Sequence, residues 1–230
     1  MSKPTALIAG ATGLIGEHLL QEILDDDHFS MITLLVREKL EIENERINQV
    51  LLPNFNDLKT VSSEFNVDHI FCSLGTTLKN PRAKDMFRRV NLDYPLKMAK
   101  MAKKQPNFKC FHALTSVGAT KSAVLYYNTV KGQLETALEK QNLRALKIYR
   151  PSLLIGKRKH TSSKEEIMKL VAMGLSFLVI KKQQVGPSCI HAETVAKTML
   201  QVAKFNEPGT EVFKPRDMKS IVESSKVASV

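Results

Sequence analysis

Tryptophan is missing from this 230-residue chain, and aromatic residues of all kinds make up only 6%. Binding to single-stranded nucleic acid relies on aromatic stacking platforms, so the composition argues against that class. Cysteine occurs three times, at Cys72, Cys110 and Cys189, with no CxxC pair. This excludes a disulfide framework and a structural zinc ribbon, and predicts a reducing, cytoplasmic location. The six histidines make no metal-ligand spacing with a nearby carboxylate, so no metal is expected, and His112 reads as a core residue. No apolar run approaches the roughly 20 residues that span a bilayer. The stretch Leu170 to Ile180 is only about 11 residues long and reads as a buried helix or a subunit contact. The apolar start is broken by Gly10 and Gly13 and shows no small-residue cleavage site before Glu17, which argues against a signal peptide. Acidic residues are the minority: 23 Asp and Glu against 34 Lys and Arg, a net charge of +11. Such a surplus suits an anionic ligand, nucleic acid or an acidic membrane surface. Basic clusters at Arg88-Arg89, Lys97 to Lys104, Lys157 to His160 and Lys181-Lys182 come with no helix-turn-helix or zinc pattern. No specific nucleic-acid partner is therefore expected.

Short apolar runs alternate with helical patterns. Strands are predicted at Ala6–Ala9, Met31–Val36, Val50–Leu52, Asp68–Ser73, Phe108–Leu114 and Ala145–Tyr149, with a weak one at Val212–Phe213. Helices are predicted at Gly16–Leu24, Asp57–Glu64, Arg82–Lys103, Val124–Gln141, Glu165–Val179 and Ile190–Ala203. Pro95 should kink or divide the long third one. Continuous apolar strands are buried on both faces, which predicts an α/β doubly wound parallel sheet covered by helices. One domain over residues 1–222 is expected, with 157–190 as a small substrate cap and 223–230 as a flexible tail.

The first strand runs into Gly10-Ala11-Thr12-Gly13-Leu14-Ile15-Gly16. Glycine at this spacing permits a tight turn, close approach of backbone to a diphosphate, and packing of the next helix on the strand. The helix N-terminus then offers unpaired N–H groups to the phosphates. Arg37 stands at the end of the second strand, 21 residues after Gly16. A guanidinium there pairs with the 2′-phosphate of NADP, whereas an acidic residue would bind the ribose of NAD. Glu38 follows directly, and NADP is favoured over NAD. Ser73-Leu74-Gly75-Thr76, after the fourth strand, reads either as a turn along the cofactor ribose or as an ordinary turn.

Tyr127 and Lys131 are four residues apart and share one helix face. Ser116 lies just past the fifth strand, where a parallel sheet delivers side chains to its crevice. Lys131 is expected to lower the phenol pKa from about 10. Tyr127 would then exchange a proton with a carbonyl or hydroxyl during hydride transfer, with Ser116 holding the same oxygen.

GxxGxxG, Ser116 and Tyr127-x-x-x-Lys131 together resemble the NAD(P)-binding Rossmann family of short-chain dehydrogenases and reductases. Phe71 to Thr77 (FCSLGTT), Ser116 to Thr120 (SVGAT), Tyr127 to Glu135 and Arg150 to Gly156 (RPSLLIG) are similar to its atypical Tat-interacting-protein group. The resemblance covers most of residues 5–156, and beyond that only Ile190 to Ala196. It implies Tyr127 as acid and base, Lys131 on the nicotinamide ribose and Ser116 orienting substrate. It further implies Asn91 in a water-linked proton relay or in packing, Pro151 and Leu153 beside the nicotinamide, and a homodimer through the helices flanking the fifth strand. The family's usual NNAG turn is CSLG here, and only about 70 residues follow Gly156, so the resemblance does not reach the substrate. The expected function is an NADP-dependent oxidoreductase acting on a small carbonyl or alcohol. The alternative is an NADPH-binding redox sensor with little turnover.

Overall fold

The computed structural model describes residues 2–76, 83–156, 189–205 and 207–227. Its centre is a seven-stranded sheet built from β1 (Thr5–Ala9), β2 (Met31–Val36), β3 (Ile47–Leu51), β4 (His69–Cys72), β5 (Cys110–Leu114), β6 (Ala145–Tyr149) and β9 (Gly209–Phe213). The order is β3-β2-β1-β4-β5-β6-β9, and every pairing is parallel. This is the doubly wound sheet the apolar strands predict. The order reverses between β1 and β4, and such a switch point opens a crevice at the carboxyl ends of the strands. A separate pair, β7 (Leu154–Ile155) and β8 (Ile190–His191), joins Leu154 to Ile190 and Ile155 to His191.

Both faces of the sheet are apolar because the central strands are buried throughout; each fully buried Leu or Ile contributes roughly 1.5–3 kcal/mol. One face carries Leu7, Ile70, Phe111 and Leu146 against α2 (Lys84–Arg88), α3 (Tyr94–Ala102) and α4 (Tyr126–Glu139). The opposite face carries Ala6, Ile8, Leu34 and Phe71 against α1 (Leu14–Asp25) and α5 (Ala192–Phe205). α1 presents Ile15, Leu19, Leu20 and Ile23 inward, the three-and-four spacing of an amphipathic helix. A last helix, α6 (Pro215–Val227), follows β9.

Several expectations are revised. The helix from Arg82 is three pieces: α2, a π-helical turn over Arg89–Asp93, and α3, with Pro95 in the first turn of α3 where its missing N–H costs nothing. The strand expected at Val50–Leu52 is Ile47–Leu51, at the sheet edge, where alternate exposure hid it from an apolar-run search. Asp57–Glu64 belongs to a 3-10 segment, Phe55–Phe65. The weak Val212–Phe213 signal is a five-residue edge strand. The chain expected to fray from Glu223 continues as α6 to Val227, anchored by buried Met218 and Val222. The expected helix Glu165–Val179 and nearly all of the expected cap lie outside the described residues.

A polar chain crosses the α1/α5 face. His69 Nδ1 and His112 Nε2 are 3.2 Å apart, and His112 Nδ1 is 3.0 Å from the Tyr149 hydroxyl. His112 is core, as expected, and stacks on Phe71 at 4.3 Å between ring centres. Burial lowers His69 to about 4 and His112 well below the ordinary imidazole value, so both rings are neutral at physiological pH. Nearby, fully buried Lys147 is paired with Glu211 on β9.

Candidate active site

The glycine turn closes tightly at the end of β1. Gly13 N donates to Gly10 O at 2.9 Å, and Gly10 has φ +90°, a conformation that glycine adopts without strain. A Cβ on Gly16 would lie 2.0 Å from Gly10 O, and one on Gly10 would lie 2.9 Å from the Ser73 backbone. These contacts draw α1 onto β1 and β4 at the switch point. Gly13 is the N-cap of α1 and supplies no side chain to its orphan N–H groups. Those donors and the positive helix end suit a diphosphate, so the cradle fits a dinucleotide. Thr12 is exposed, and Leu14 is half-buried. Ile15 turns into the core, so only its backbone faces the turn.

Ser73 Oγ donates to the carbonyls of Ala9 and Gly10, at 3.0 and 3.1 Å, and so ties the end of β4 to the glycine turn. Leu74 packs on the core, and Gly75 and Thr76 continue along the edge. Arg37 follows β2 directly and is exposed.

Ser116 and Lys131 come to the carboxyl end of β5, and Tyr127 lies one turn before Lys131 on α4. Lys131 is 2% exposed, and its Nζ donates to the carbonyl of Leu114, the last residue of β5, at 3.1 Å. Desolvation lowers it to about 8, against the opposing charge of Glu135 one turn along α4. Glu135 is itself held by Arg150, at 2.9 Å from Nε and 2.5 Å from Nη2, and by Thr115 at 2.6 Å. Tyr127 packs its ring 5.7 Å from Phe87 and leaves about a third of its surface open. Desolvation pushes the phenol up to about 12. This corrects the expectation that Lys131 lowers it: desolvation raises the phenol, and the Lys131 ammonium does not offset it. Ser116 Oγ donates to Asn128 Oδ1 at 3.2 Å rather than to Tyr127.

Asn91 is fully buried in the π-helical turn. Its Nδ2 donates to Phe87 O and Thr76 O at 3.0 and 3.2 Å, while its Oδ1 meets no donor among the described residues. An orphaned buried acceptor at this edge is costly unless a ligand or water answers it. Pro151 accepts from Val117 N at 3.0 Å, and Leu153 accepts from Ile190 N at 3.1 Å, so both stand on the rim between β6 and the β7/β8 pair.

Two residues were not singled out from sequence. Asn128 holds Ser116 and lies against Gly118, where a Cβ would meet its Nδ2 at 2.8 Å. Gly132 lets α4 approach the Thr120 backbone, where a Cβ would come within 2.3 Å. A glycine inside a helix costs about 1 kcal/mol relative to alanine, and that cost was the available signal for Gly132.

The HIM1 family model matches residues 19–183. The rat protein HTATIP2 is 38% identical over 164 residues, covering 70% of this chain and 67% of that protein. A mitochondrial FMP52 protein of Candida glabrata is 30% identical, covering 69% of this chain and 67% of its own. Among solved structures, MoeE5 in complex with UDP-glucose and NAD superposes with a TM-score of 0.68 at 14% identity, over 91% of this chain and 75% of that one. That likeness shows the dinucleotide-binding fold. FMP52 relatives from other yeasts are also named as mitochondrial, which overturns the cytoplasmic location inferred from the scattered cysteines. A mitochondrial protein needs no disulfides either, so cysteine usage had no power to separate the two. No described helix is long and apolar enough to cross a membrane. The chain belongs to the HIM1 family, is similar to HTATIP2, and has a doubly wound Rossmann architecture.

Proposed function

We propose that this protein binds NADP and catalyses hydride transfer between its nicotinamide and a carbonyl or alcohol group on a small molecule. The observation that supports this reading is convergence on one sheet edge. The glycine cradle after β1, Ser73 after β4, Ser116 after β5 and the Lys131–Leu114 bond all lie at carboxyl ends of adjacent strands. Backbone groups of Gly10, Thr12, Gly13, Leu14, Ile15 and Gly16 would hold the diphosphate, and Arg37 the 2′-phosphate. Ser73, Leu74, Gly75 and Thr76 would line the ribose, with Pro151, Leu153, Tyr127 and Lys131 around the nicotinamide end. When bound, the nicotinamide supplies or accepts the hydride.

The protein's own part is proton handling. A phenol near 12 keeps its proton at neutral pH, so Tyr127 serves best as a general acid toward a developing alkoxide; this favours the reducing direction. Lys131, near 8, is mostly charged at pH 7 and gives up a proton within reach of the working range. Ser116 has spent its proton on Asn128, which leaves its lone pairs to accept from Tyr127 or from an alcohol. Asn91 would offer its unmatched Oδ1 to a water at the same edge.

Tyr127→Phe tests the reading. Turnover of NADPH across a carbonyl panel should be abolished, while NADPH binding by thermal shift stays within twofold; equal turnover in the variant refutes the catalytic role. One observation favours a second reading, a redox-sensing protein: Ser116 and Lys131 bond to Asn128 and Leu114, not to Tyr127. Tight NADPH binding with no turnover on any carbonyl would select it. The names of the yeast relatives support a mitochondrial site of action for either reading.

A further inference from the structure

The opposite, amino-terminal edge of the sheet holds a second cluster, remote from the glycine cradle. Parallel register sets His69, the first residue of β4, directly beside Cys110, the first residue of β5. His112, two residues on, points to the same face. One ligand atom from each of the three lies within 4.8 Å of the others, and His69 Nδ1 and His112 Nε2 are separated by 3.2 Å. All three side chains are at most 1% exposed.

We propose that His69, Cys110 and His112 form a three-coordinate site for a single copper(I) ion. Two uncharged imidazoles and one thiol are a soft donor set of the kind that selects copper(I), zinc or iron–sulfur centres. Two further facts choose among these. Zinc needs a fourth ligand, and here the Tyr149 hydroxyl is taken by the far nitrogen of His112. Charge decides as well. Copper(I) on a thiolate is neutral overall, whereas zinc on the same donors leaves a net positive charge in a dry core. Lys147 on the adjacent strand, ion-paired with half-exposed Glu211, would add to that penalty.

The geometry requires small movements. Metal–nitrogen bonds of about 2.0 Å at a trigonal angle put the two nitrogens roughly 3.5 Å apart, so they need part by only about 0.3 Å. A metal–sulfur bond of about 2.3 Å brings sulfur to roughly 3.7 Å from each nitrogen, a shift of about 1 Å at most by side-chain rotation. On binding, the proton shared between His69 Nδ1 and His112 Nε2 moves to the outer nitrogen of the ring that carries it, both inner nitrogens bond copper, the Cys110 S–H bond breaks as the sulfur–copper bond forms, and one proton leaves to solvent. The ion enters as copper(I), so no electron is transferred.

The test is an anaerobic copper(I) titration of the full chain against a chromogenic copper(I) chelator, with X-ray absorption on the loaded protein. Wild type and Cys189→Ser should each withhold one ion per chain from the chelator. Cys110→Ser should weaken retention at least 100-fold, and His69→Gln at least tenfold, with far-ultraviolet circular dichroism unchanged. The absorption spectrum should report two nitrogens and one sulfur. Copper held equally by Cys110→Ser, or lost on Cys189→Ser, overturns the proposal. If Cys110→Ser does not fold, the wild-type spectrum decides alone, and any shell without two imidazoles and one sulfur refutes the site.

Discussion

Replacing Lys131 by methionine should stabilise this protein while removing its activity. The ammonium is 2% exposed, and its pKa falls from 10.5 to about 8 on folding. A charged form disfavoured by folding destabilises wherever both states carry the proton, here below about pH 8. Between about 8 and 10.5 the unfolded chain holds more protons than the folded one, so stability rises with pH. At about 1.4 kcal/mol per pKa unit the charge costs on the order of 3 kcal/mol at pH 7. Methionine fills a similar volume without that charge, and loss of the Leu114 hydrogen bond offsets about 1 kcal/mol. The net gain expected at pH 7 is about 2 kcal/mol by urea denaturation. The difference between variant and wild type should then shrink by about 1 kcal/mol from pH 7 to 9, because the wild type recovers as Lys131 deprotonates. Comparing the two chains at each pH cancels titrations that do not couple to Lys131, such as that of Cys110, whose raised value acts in the opposite sense above pH 9. A variant less stable than wild type at pH 7, or a difference that does not change with pH, would refute the idea that Lys131 is kept charged at the expense of the fold.

Gly16→Ala drives a methyl to 2.0 Å from Gly10 O, so α1 must retreat by more than 1 Å; we expect a loss of about 1–3 kcal/mol and of the NADPH-induced rise in Tm. Gly75→Ala, whose Cβ would meet only Asn91 Oδ1 at 3.6 Å among the described residues, is the steric control for the fold alone: its Tm without NADPH should match wild type. Arg37→Ala should raise the KM for NADPH about 10- to 100-fold and leave that for NADH within twofold, as loss of charged hydrogen bonds to a 2′-phosphate requires. Glu135→Gln strips the carboxylate shared by Arg150 and Thr115. With Arg150 about a quarter exposed, the expected cost is about 1–3 kcal/mol, and the pH–rate profile should shift to lower pH as Lys131 loses its neighbouring negative charge.

The central sheet could be read because β1, β2, β4, β5 and β6 are short and mostly apolar without strict alternation, and the glycine spacing marks where the first strand hands over to its helix. Edge strands were read only in part, at Val50–Leu52 and Val212–Phe213: β3 and β9 keep polar residues where water reaches them. The π-helical turn at Arg89–Asp93 left no sign, because Pro95 drew attention to a break that occurs one turn earlier. Spacing alone correctly put Tyr127 and Lys131 on one helix face. It did not disclose their partners: Leu114, Asn128 and Glu135 are fixed by how α4 lies across β5, a tertiary fact. His69 and Cys110 are 41 positions apart in the chain and adjacent only through strand register, so no local ligand motif exists to find.

The little β7/β8 ladder has a wider implication. It fastens Leu154 beside Ile190 at the usual spacing of about 4.8 Å, so the described chain on either side of residues 157–188 is held side by side. Whatever that intervening stretch contains can be lengthened, trimmed or exchanged for a modest loop-closure entropy, which grows only with the logarithm of its length. A change of length there therefore leaves the seven-stranded sheet and its glycine turn untouched.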